Sequence, residues 1–61
     1  MTEFHSEITR RVTRAVQSLH RAEADGDDYL VEMRQAELEN LARLAADHGL
    51  RIPGLQDFSA A

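Results

Sequence analysis

Cysteine is absent from this chain of 61 residues, so neither a disulfide nor a thiolate-held metal can staple its fold. No apolar run approaches the roughly 18 residues of a membrane span. No basic start followed by an apolar middle and a small-residue cleavage site is present either, and the chain is expected to be cytoplasmic. Proline occurs once, at Pro53, and the three glycines stand at 26, 49 and 54. Lysine is missing: all seven basic residues are arginine, as in a GC-rich coding sequence, and they face 11 acids for a net charge of −4.

What is there has the composition of a globular protein, 43% hydrophobic and 30% charged. The length allows one domain, residues 1–61, and a core this small seldom supplies more than about 3–5 kcal/mol by itself. With disulfides excluded, self-association is the expected staple.

The chain is organised around residues 27–48, DDYLVEMRQAELENLARLAADH. On a helical wheel of about 100° per residue, Leu30, Val31, Met33, Leu38, Leu41, Ala42, Leu44 and Ala45 share one arc of roughly 180°, wider than the stripe of an ordinary surface helix. Glu32, Gln35, Glu39, Arg43, Ala46 and Asp47 take the other side. An apolar face that wide predicts two neighbours. Arg34 and Glu37 fall inside the arc at the (i, i+3) spacing, where they can pair locally with the arginine stem reaching to water, or pair between subunits and fix a register.

Upstream, Ile8, Val12, Ala15, Leu19 and Ala22 step by four, three, four and three, with Phe4 and Val16 beside them, which predicts a first helix over about 3–24 packed lengthwise on a partner. Thr2 suits its N-cap and Glu3 its first turn. Gly26 suits a left-handed helix stop and Asp27 the next N-cap, so the connection is short and the second helix, about 27–48, returns antiparallel. Gly49 suits the second stop, with Leu50 folding back onto Leu44 or Ala45. Beyond it, Pro53 ends helical pairing and Leu50, Ile52, Leu55 and Phe58 make an apolar tail, residues 49–61, expected to lie on the hairpin or on a second subunit; Ser59 to Ala61 are expected to fray. The fold class is all-α: an antiparallel two-helix hairpin dimerising into a four-helix bundle, with Leu30, Met33, Arg34, Glu37, Leu38, Leu41 and Leu44 at the interface.

The chemistry-bearing residues are few. Ser6, Ser18 and Ser59 with His5, His20 and His48 match no nucleophile–base spacing, and two rods side by side offer little concavity, so no enzyme activity and no cofactor are expected. Bundle metal sites use inward Glu-x-x-His pairs; His20 and Glu23 have the reverse order, and His5 with His48 lack a third ligand, so no metal is expected. A calcium loop counted from Arg21 would place Glu23, Asp25, Gly26 and Glu32 at ligand positions, but Arg21 stands where a carboxylate is needed, and a capped turn accounts for the same acids. Arg10, Arg11, Arg14 and Arg21 form a basic strip that could meet a partner or nucleic-acid phosphates. Opposing nucleic acid are the net negative charge, the seven acids against one arginine between Glu23 and Glu39, and the lack of a ribbon strand or third helix.

The runs Gly26 to Glu32 and Leu41 to Gly49, about 25 residues with what lies between, resemble short helical-hairpin proteins of actinobacterial type that carry no assigned function. The resemblance implies a helical fold and transfers no site. The expectation is therefore a non-enzymatic protein-interaction or regulatory module acting as a homodimer, with a nucleic-acid-associated dimer using the arginine strip as the alternative.

Overall fold

The computed structural model describes residues 3–52, 54 and 55. Two helices, α1 (Glu3–Asp25) and α2 (Asp28–Asp47), pack against each other, and no strand occurs among the described residues. Thr2, Pro53, Phe58 and Ser59 to Ala61, for which a cap, a break, an apolar contact and fraying were expected, lie outside them.

The helix boundaries follow from capping chemistry. At the end of α1, Gly26 adopts φ +70°, its N–H donates to the Glu23 carbonyl at 3.2 Å, and the Asp27 N–H donates to the Ala22 carbonyl at 2.9 Å. These are the paired bonds of a Schellman stop, which satisfy carbonyls that the end of a helix otherwise leaves open. The Asp27 carboxylate in turn accepts the Leu30 N–H at 3.1 Å and caps α2. One glycine and one aspartate therefore close the first helix and open the second. Gly49 (φ +67°) ends α2 in the same way, with Leu50 N–H on the Ala45 carbonyl at 2.8 Å and Gly49 N–H on the Ala46 carbonyl at 3.1 Å.

Two contacts fix the register of the antiparallel pair. Ser18 meets Arg34 near the turn, and the Phe4 and His48 rings meet at the open end with centroids 4.5 Å apart. Both pairs are equidistant in sequence from Gly26, so the helices run alongside each other without slippage.

The core is one seam. Ile8, Val12, Ala15, Leu19 and Ala22 of α1 are all buried, as their spacing predicts, and Leu38, Leu41 and Ala45 of α2 face them. The tail completes the core from its own chain, with Ile52 and Leu55 buried and Leu50 half-buried against the seam. Part of the wide arc of α2 is thus used within the monomer: α1 takes its centre, and the tail takes the side bearing Ala42, where an open groove of about 320 Å³ runs between Ala42, Ala46, Leu50 and Ile52. Among the described residues no helix is long and apolar enough to cross a membrane.

Candidate functional site

On α2, side chains three or four residues apart stack on one face. Leu30, Met33, Glu37, Asn40 and Leu44 step by three, four, three and four, and form a second stripe on the flank of the core seam away from the tail. Met33 is 46% exposed, neighbouring Tyr29 is 73% exposed, and Leu30 and Leu44 are half-buried. Of the seven residues expected at an interface, Leu38 and Leu41 are buried inside the single chain against α1, while Leu30, Met33, Arg34, Glu37 and Leu44 keep surface.

Arg34 and Glu37 sit where this stripe meets α1. The Arg34 Nη1 donates to Glu37 Oε1 at 3.0 Å, and its Nε donates to Ser18 Oγ at 2.9 Å across the helix pair. Arg34 occupies a seam position, between Val31 and Leu38 in the three-four step, and its long stem brings the charge out to a polar cleft of about 210 Å³ lined also by Arg14 and Ala15. The pair is formed within the chain, and its anchor on α1 is Ser18, which spacing within α2 could not reveal. The signal was the hairpin itself: once Gly26 is the turn, residue 18 lies opposite residue 34. The chemistry of this contact is structural, because a guanidinium cannot take a proton from the serine hydroxyl.

The basic strip divides in two. Glu7 accepts hydrogen bonds from both Arg10 and Arg11, the latter at 3.2 Å, and these charge-assisted bonds, that of Arg10 first, hold its carboxyl below the usual glutamate value. Arg14 and Arg21 are exposed and have no ion-pair partner among the described residues. The His48 ring meets Phe4, the neighbour of half-buried His5, in a tilted contact, and His20 is exposed. No group of three or more His, Asp or Glu among the described residues could hold a metal ion.

Compared with models of known protein families, with curated proteins and with solved structures, the chain matches none of them.

Proposed function

We propose that this chain is a small, non-enzymatic protein-interaction or regulatory module that works as a homodimer, two hairpins forming a four-helix bundle. The observation that carries the reading is the second stripe of α2, where Met33 is 46% exposed beside Tyr29 at 73% although α1 and the tail already cover the rest of the helix's apolar face. Large apolar side chains grouped on one flank mark a surface that meets another protein. The small core argues the same way, since a chain of this length gains stability by covering such a stripe. In sedimentation equilibrium the chain is expected to show a reversible monomer–dimer equilibrium, and Met33→Asp is expected to shift it to monomer without loss of helicity. A monomer insensitive to concentration would refute the proposal.

The free guanidinium groups of Arg14 and Arg21 favour one second reading, a dimer that contacts nucleic-acid phosphates. It requires salt-dependent retention of random duplex DNA that is lost in the Arg14→Ala, Arg21→Ala double variant. No retention at low salt removes it.

A further inference from the structure

We propose that the occupant of the second stripe is the same stripe of a second copy, with α2 antiparallel to α2 of the partner and the two-fold axis between Leu38 and Glu39. This deepens the homodimer reading and rests on it. The argument is self-complementarity. The stripe runs Leu30, Met33, Glu37, Asn40, Leu44, apolar at its ends and polar in the middle, and antiparallel helices bury such a stripe by setting each three-step position against a four-step position of the other. Sliding the stripe along its own reverse yields one register in which every inner layer matches: Met33 lies over Leu44 of the partner subunit, and Glu37 lies across from Asn40 of the partner subunit. The Asn40 amide can donate to the Glu37 carboxylate, which Arg34 already holds from its own side. A register centred on Glu37 instead sets two carboxylates face to face, which like charges oppose.

A buried carboxylate–amide pair specifies the pairing, because any slip leaves both groups without partners.

The absence of cysteine makes the register directly testable. A double variant, Met33→Cys with Leu44→Cys, is oxidised under mild conditions alongside each single variant, while sedimentation is run on the unaltered chain. Positions 33 and 44 lie about 16 Å apart along one helix, too far for a disulfide within a chain. In the proposed register each single variant also leaves its two sulfurs about 16 Å apart along the dimer, whereas the double variant brings both pairs together. The expected result is rapid, near-complete covalent dimer from the double variant and little from either single one. A dimer in sedimentation with no such crosslink, or with Met33→Cys alone crosslinking as fast, overturns this register and leaves the homodimer standing. A monomer at every concentration overturns both.

Discussion

Leu38 is the residue on which the monomer leans hardest: it is fully buried, and with Ile8 it is one of the two largest side chains sealed from water. Truncating a buried leucine to alanine removes transfer free energy and leaves a cavity, costing about 2–5 kcal/mol. A core of this size holds about 3–5 kcal/mol in all, so Leu38→Ala is expected to leave most of the chain unfolded, read as loss of the cooperative thermal transition in circular dichroism. Arg34 acts at smaller magnitude. Its bonds to Glu37 and Ser18 are only partly buried, so solvent screening limits Arg34→Ala to about 1 kcal/mol, with a coupling to Glu37 of about 0.5 kcal/mol in a double-mutant cycle. Strictly additive effects would show that the pair is not formed. Glu7 carries a pH dependence of known sign. Because Arg10 and Arg11 depress its folded value, its contribution is present above the unfolded glutamate range and is lost as pH falls through the lower folded value. A carboxyl NMR titration is expected to place its midpoint below the usual glutamate value, and Arg10→Ala is expected to raise it more than Arg11→Ala does.

At the scale of the elements, both helices and the turn between them were legible in the sequence, because local chemistry dictates them. The three-four stepping from Ile8 to Ala22 names the buried face of α1 residue by residue, and Gly26, Asp27 and Gly49 mark helix ends with conformations and caps that few other residues supply. Asp27→Ala is expected to cost about 1 kcal/mol through loss of the Leu30 N–H acceptor, and Gly26→Ala about 1–2 kcal/mol through the left-handed backbone. Each appears as a melting temperature lower by several degrees. The division of the α2 face was not legible. Its apolar arc is so broad that periodicity alone does not say which part meets α1, and α2 separates apolar from polar residues less sharply than α1 does. By spacing alone Leu38 and Leu41 suit an interface as well as Leu30 and Met33 do; the hairpin register sets them against α1, and only that register brings Ser18 to Arg34. Nor could apolar spacing say whether Ile52 and Leu55 cover their own hairpin or another; they cover their own.

For the whole molecule, 36 Å in its longest dimension, the tail acts as a third element that covers one flank of the two-helix layer, and the other flank keeps Met33 46% exposed. Replacing Ile52 or Leu55 singly with alanine is expected to cost about 2 kcal/mol, seen as a lower urea midpoint. The central claim is that a single copy leaves the Leu30 to Leu44 stripe in water and joins a second copy to cover it. Sedimentation equilibrium of the unaltered chain from low micromolar to near-millimolar concentration tests this most directly. The account predicts a mass that rises with concentration from that of one 6.9 kDa chain to that of two, with a melting temperature that rises in parallel. A compact, cooperatively melting species of 6.9 kDa across the whole range would contradict it.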